Sequence, residues 1–259
     1  GAGRWSGWGD VLSANEESRR RGLGRGLVAE LGLLLVGIAS VYGHTLDVSF
    51  YLDDYHIIAL NPQIAIDDFA DIGILFRNPH LRSFGYLTLA INHALHGLDL
   101  WGYHLVNIVI HFLASCGVLF FVRALLAVPG RTVRLGFGRE NLPVVAALMF
   151  ALHPLQTQAV TYTVQRVTSL AGCLYIWSMC FYLYYRLSQS SIRRTLSVSF
   201  CVAIAVAALF TKQNAITLPL ALLLIEGMFF GWRSRRLILM ATLVLVAGSG
   251  MWVLAALTM

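Results

Sequence analysis

Clusters of arginine alternate with long apolar runs along this chain, and that alternation limits the folds open to it. Apolar stretches cover about 26–43, 104–127, 142–153, 167–186, 196–211, 216–230 and 237–257. Roughly 20 apolar residues cross a hydrocarbon core as a helix, and within it only helices or closed barrels satisfy their own backbone. Hydrophobic residues make up 58% of the chain and charged residues 12%, with a mean hydropathy of +0.70. Soluble domains run near 45–50% and 25%. The expected class is therefore an all-α polytopic membrane protein of about seven transmembrane helices. The runs 142–153, 196–211 and 216–230 look short for a full crossing.

Charge placement orients the spans. Basic residues collect on cytoplasmic segments of membrane proteins. An apolar stretch at 84–98, with His93 and His96, decides the count. If it crosses, the loop from Arg123 to Arg139 lands outside. If it lies along the membrane surface as an interfacial helix, the cytoplasmic side collects 15 of the 19 basic residues. Only Arg77, Arg82, Arg166 and Lys212 then stay outside. We adopt the second arrangement: a cytoplasmic segment 1–25 carrying Arg19, Arg20, Arg21 and Arg25, then a membrane module over 26–259 with a long first outer loop at about 44–103. The net charge of +6 is explained by these loops and points to no nucleic acid.

This topology gathers the polar residues on the outer face. It receives Asp47, Asp53, Asp54, Asp67, Asp68, Asp71 and Asp99, together with His153-Pro154 and Lys212-Gln213-Asn214. The adjacent carboxylates of Asp53-Asp54, just past the first span, suit proton abstraction, metal binding or cation binding. His104, Asn107 and His111 share one helical face. Interhelical hydrogen bonding, a role around a ligand, and metal or haem ligation all remain open for them. Cys116, Cys173, Cys180 and Cys201 lie within apolar runs without metal-site spacing and read as buried small hydrophobes. The aromatic stretch from Tyr175 to Tyr185 reads as a lipid-facing interface belt. Glu226 suits pairing with an arginine of the following loop.

Four stretches together resemble the glycosyltransferase C superfamily, and more closely the membrane half of the transmembrane and tetratricopeptide-repeat O-mannosyltransferases and their bacterial relatives. They are Tyr51-Leu52-Asp53-Asp54; Trp101-Gly102-Tyr103-His104-Leu105-Val106-Asn107 with His111; His153-Pro154 through Val160 with Gln165-Arg166; and Lys212 through Pro219. The resemblance covers about residues 45–230. It implies a transferase taking a sugar from a polyprenyl-phosphate carrier, at the periplasmic face of a bacterial inner membrane or the lumenal face of the endoplasmic reticulum. The acceptor would be a protein or a lipid, with membrane lipids and partner membrane subunits as neighbours. It makes Asp53 the base that deprotonates the acceptor hydroxyl, with Asp54 tuning it or binding a cation. A divalent cation stays open as a cofactor, and the metal ligands are unknown. Lys212, Arg166 and Arg82 would supply positive charge for the carrier phosphate, while His104 and His153 would line the substrate site. The chain departs from its relatives at Gln158 and Gln213, where glutamate is common, and at Arg82-Ser83, where Arg-Pro is common. Those departures support a rival reading, a non-catalytic membrane subunit built on the same module for assembly or lipid binding.

Overall fold

The computed structural model describes residues 26–66, 73, 82–130 and 138–231. Every regular element among them is helical. Helix α1 covers 26–42 and continues through a 3-10 turn at Gly43–Thr45. Then come α2 (Ser83–His96), α3 (Leu100–Leu126), α4 (Leu142–Ala151), α5 (Gln156–Thr161), α6 (Arg166–Leu187), α7 (Ser191–Leu209) and α8 (Leu218–Ile225). A π-helical turn at Glu226–Phe230 extends α8, and a 3-10 turn at Gln213–Thr217 precedes it.

Five of these segments are long and apolar enough to cross a membrane: Gly26–Thr45, Leu100–Leu126, Thr163–Leu187, Ser191–Leu209 and Gln213–Phe230. The protein is thus an integral membrane protein. The short run expected at 142–153 forms a helix of 10 residues, about 15 Å long and roughly half a hydrocarbon core. The stretch 237–257 and the segment 1–25 lie outside the described residues.

Paired side chains fix which helix ends lie together. Arg123 near the end of α3 bonds Glu30 near the start of α1. Arg186 at the end of α6 bonds Glu226 at 2.8 Å. These contacts gather the described basic loops at one end of the bundle. At the other end, Asp54 reaches Val164 and Lys212 reaches Thr168. Glu226 pairs with Arg186; the arginines at 233–236 fall outside the described residues. Tyr182 also donates to Glu226, at 2.6 Å.

Helix α6 sits centrally, packing most extensively on α7 and α3. That position corrects the reading of its aromatic stretch. Trp177 donates to the Leu113 carbonyl at 3.0 Å, Phe181 stacks on Phe200, and Tyr182 is buried. Trp177, Phe181 and Tyr182 thus meet neighbouring helices, while Tyr184 stays exposed. The four cysteines are buried free thiols, as expected.

Helix α2 packs against the ends of α3, α6 and α7. Its Phe84 N–H donates to the Phe210 carbonyl beyond α7 at 3.0 Å. Two glycines allow close approach. A Cβ on Gly102 would sit 3.0 Å from the His96 ring, and one on Gly85 only 2.9 Å from Val167 Cγ2. Buried Leu89 and Tyr103 then pack with Ile58 and Ile64, tying the loop after α1 onto α2 and α3. Because Val167 is β-branched and stiff, Gly85→Ala is expected to cost about 1–3 kcal/mol by overpacking. Thermal unfolding in detergent checks this; an unchanged midpoint would contradict the packing.

Candidate functional site

The two adjacent acids occupy unlike environments. Asp54 is 2% exposed. Its Oδ1 accepts the Val164 N–H at 2.7 Å and its Oδ2 accepts the Tyr51 N–H at 3.1 Å. Asp53 is exposed, and its own N–H donates to the Tyr162 hydroxyl at 3.1 Å. One carboxylate therefore braces the loop while the other is presented to the surroundings. Burial pushes the Asp54 carboxyl above the ordinary aspartate range, against the opposing pull of its backbone N–H donors and of His104. Burial first, then the nearby Asp53 and Asp54 carboxylates and a hydrogen bond with the Asp53 side chain, raise the Tyr162 phenol against the pull of the Asp53 N–H.

Residues 162–168 form the spine of this end of the bundle. Tyr162 holds Asp53, and Val164 holds Asp54. Arg166, at the first position of α6, is fully buried. Its Nε donates to Asn107 Oδ1 at 2.7 Å, and its Nη1 to the Thr88 carbonyl at 3.1 Å. Its Nη2 donates to Asn92 Oδ1 at 2.9 Å and to the Tyr103 carbonyl at 2.8 Å. Two residues on, Thr168 accepts from Lys212 Nζ at 2.6 Å and donates to Gln165 Oε1 at 2.6 Å. With rises of about 2.0 Å per 3-10 residue and 1.5 Å per α residue, Tyr162 and Thr168 are about 10 Å apart along this spine.

Lys212 is half-buried and Arg82 exposed. Burial first, and the Arg82 cation second, hold the Lys212 ammonium below its ordinary pKa. No salt bridge involves either cation among the described residues. Two like charges this near one another favour an anion at that place.

The polar face of α3 resolves into interhelical bonding. His104 donates from Nε2 to the Val48 carbonyl at 2.8 Å, and His111 from Nε2 to the Ala151 carbonyl at 2.8 Å. Asn107 donates to the Val160 carbonyl at 3.2 Å while accepting from Arg166. His104 keeps a buried Nδ1 without a partner and lies close enough to Asp54 to lower its pKa. Among the described residues, no three His, Cys, Asp or Glu side chains cluster as metal ligands would. His153 is exposed, and its Nδ1 accepts the Leu155 N–H at 3.2 Å just past α4. That bond is local and does not join His153 to the Asp53 loop.

Asp53, Asp54, Arg166 and Lys212 are thus linked through one segment, with Arg82 beside Lys212 and His104 beside Asp54. Sequence reading missed Tyr162, Thr168 and Asn92. A tyrosine accepting a backbone N–H across 109 residues leaves no spacing signal. Thr168 sits one helical step beyond the noted Gln165-Arg166 pair, which is the nearest thing to a clue.

Known proteins resemble this chain over most of its length. Protein O-mannosyl-transferase TMTC1 of Homo sapiens is 30% identical over 64% of this chain and 19% of its own. The Tmtc1 protein of Drosophila melanogaster is 31% identical over 68% of this chain and 20% of its own. Protein O-mannosyl-transferase F38B6.6 of Caenorhabditis elegans is 26% identical over 81% and 29%. The chain carries a glycosyltransferase-C-like membrane module homologous to theirs. This module matches only about a fifth to under a third of the length of those relatives. No protein-family model matches the chain, and no solved structure matches it.

The Asp54 brace makes a pH prediction. An acid whose folded pKa lies above its unfolded value favours the protonated folded state. Its contribution is therefore largest below the ordinary value of 3.8 and declines as pH rises through the folded pKa. Asp54→Asn leaves one N–H acceptor short and is expected to cost about 1–3 kcal/mol at low pH. The gap to wild type should narrow as pH rises from about 4. Thermal midpoints of both proteins across pH 4–8 check this; a widening gap would contradict it.

Proposed function

We propose that the module is a membrane glycosyltransferase that moves a sugar from a polyprenyl-phosphate carrier to a hydroxyl on a protein or lipid acceptor. The supporting observation is that Asp53, exposed, and the Lys212 ammonium, with Arg82 near it, are tied to the two ends of the same short segment: Asp53 and Lys212 bond Tyr162 and Thr168. Glycosyl transfer needs both kinds of charge, one at each side of the anomeric carbon.

In this reading the Asp53 carboxylate takes the proton of the acceptor hydroxyl as its oxygen attacks the anomeric carbon with inversion. The bond from that carbon to the phosphate oxygen breaks, and the polyprenyl phosphate leaves with the electron pair. Lys212 and Arg82 hold the phosphate and its growing charge. Arg166 spends its guanidinium inside the protein, so we assign it the placement of the segment rather than a phosphate contact. Asp54 braces the loop, and His104 supports Asp54 from α3. A divalent cation would have Asp53 as its accessible ligand, since both oxygens of Asp54 already accept N–H groups. The exposed apolar faces of α1 and α7, including Leu33, Val36, Phe200 and Val202, suit lipid or a partner membrane subunit. The active face would be periplasmic in a bacterial inner membrane, or lumenal in the endoplasmic reticulum.

Exposed Gln158 and Gln213, at positions where relatives commonly carry glutamate, favour a second reading: a non-catalytic membrane subunit on the same module. Asp53→Asn separates the two. The enzyme reading predicts that sugar transfer falls about 100- to 10,000-fold while the protein stays folded; unchanged transfer would end it. Lys212→Met should raise the donor KM about tenfold or more through loss of a charged contact. Kinetics with synthetic polyprenyl-phosphate sugars read both effects.

A further inference from the structure

Leu52 is the one non-glycine residue at positive φ among the described residues, at 46°. A branched side chain disfavours that left-handed conformation, which persists only where the surroundings over-determine it. Three hydrogen bonds do so here. The Tyr51 N–H donates to Asp54 Oδ2, the Asp54 N–H donates to the Tyr51 carbonyl at 3.1 Å, and the Asp53 N–H donates to the Tyr162 hydroxyl at 3.1 Å. The first two bonds lie within the loop. The third reaches Asp53 itself and comes from the far side of the site. The Tyr162 ring also meets Tyr51 edge to face, with centroids 6.2 Å apart. Tyr162 directly precedes the turn Thr163–Gln165, whose Val164 N–H grips Asp54. A single stretch of chain therefore holds both acids, one by a side chain and one by the backbone.

We propose that Tyr162 is a positioning residue for Asp53, its hydroxyl fixing the Leu52–Asp53 turn so that the exposed carboxylate keeps one orientation. This rests on Asp53 being the base of the proposed transfer. A base must stay within hydrogen-bond reach of the proton it removes, and misplacement by about 1 Å costs on the order of a hundredfold in rate. The contact is with Asp53, through its backbone N–H and beside its side chain. Its loss should therefore lower turnover without weakening the phosphate end, where Lys212 and Arg82 hold the donor.

The test uses the full-length protein in membranes, with synthetic polyprenyl-phosphate mannose as donor and mannose incorporated into membrane protein as readout. Tyr162→Phe removes only the hydroxyl, leaving the ring contact with Tyr51. The expected result is a fall in kcat of about a hundredfold, with donor KM and thermal unfolding midpoint unchanged. A kcat equal to wild type would overturn the inference. So would a loss of kcat accompanied by a raised KM and a lowered midpoint, which is the signature of a merely structural side chain. Asp53→Asn, measured in parallel, separates the two levels. If Asp53→Asn retains transfer, the base reading fails; if Asp53→Asn is inactive and Tyr162→Phe fully active, only the positioning inference fails.

Discussion

The buried guanidinium of Arg166 organises the site end of the bundle. A charge taken out of water without a counter-ion costs several kcal/mol. Arg166 offsets that with four hydrogen bonds to neutral oxygens of α2 and α3, each worth about 1.5–3 kcal/mol when one partner is charged. Its ion also lies 5.5 Å from the centroid of the Tyr103 ring. The planar fork reaches a carbonyl and a carboxamide on α2 and the same pair on α3, which a lysine ammonium could not match. Three helices are thus registered against one another at the residue where α6 begins.

The functional asymmetry follows from that registration. With the start of α6 fixed, the preceding turn presents the Tyr162 hydroxyl and the Val164 N–H to the Asp53-Asp54 loop. The following turn presents Thr168 to Lys212. Acid and cation are separated by a length of backbone rather than by side-chain packing, so their spacing is hard to alter without unseating Arg166. The adjacent acids take unlike roles for the same reason. Val164 and Tyr51 engage both oxygens of the buried Asp54 carboxylate, while Tyr162 meets the exposed Asp53 at its backbone N–H and beside its side chain.

Much of the architecture was legible in charge and hydropathy. The runs read as long apolar spans at 26–43, 104–127 and 167–186 fall in segments long and apolar enough to cross a membrane, and 84–98 forms a helix of 14 residues, Ser83–His96. Boundaries shifted where helices run into polar residues. The span expected at 196–211 begins at Ser191, and that expected at 104–127 begins at Leu100, because an established helix propagates through Arg193-Arg194 or Trp101 at little cost. Within the aromatic stretch of α6, hydropathy did not distinguish exposed Tyr184 from rings such as Phe181 and Tyr182 that meet neighbouring helices. Within the candidate site, residue type pointed to the acids and cations that the fold ties to residues 162–168. It could not reveal that Arg166 turns inward or that Tyr162 grips Asp53, since both depend on backbone acceptors and donors brought close only by the fold.

The central claim is that a phosphate-bearing lipid is held at the end of the bundle where residues 162–168 join the acids to the cations. Photolabelling of the membrane-embedded protein with a photoreactive polyprenyl-phosphate mannose, followed by peptide mapping, tests it directly. The account predicts label on peptides containing Arg82, Thr168 or Lys212, displaced by unlabelled donor. Label confined to the opposite end, around Arg123 or Arg186, would contradict it.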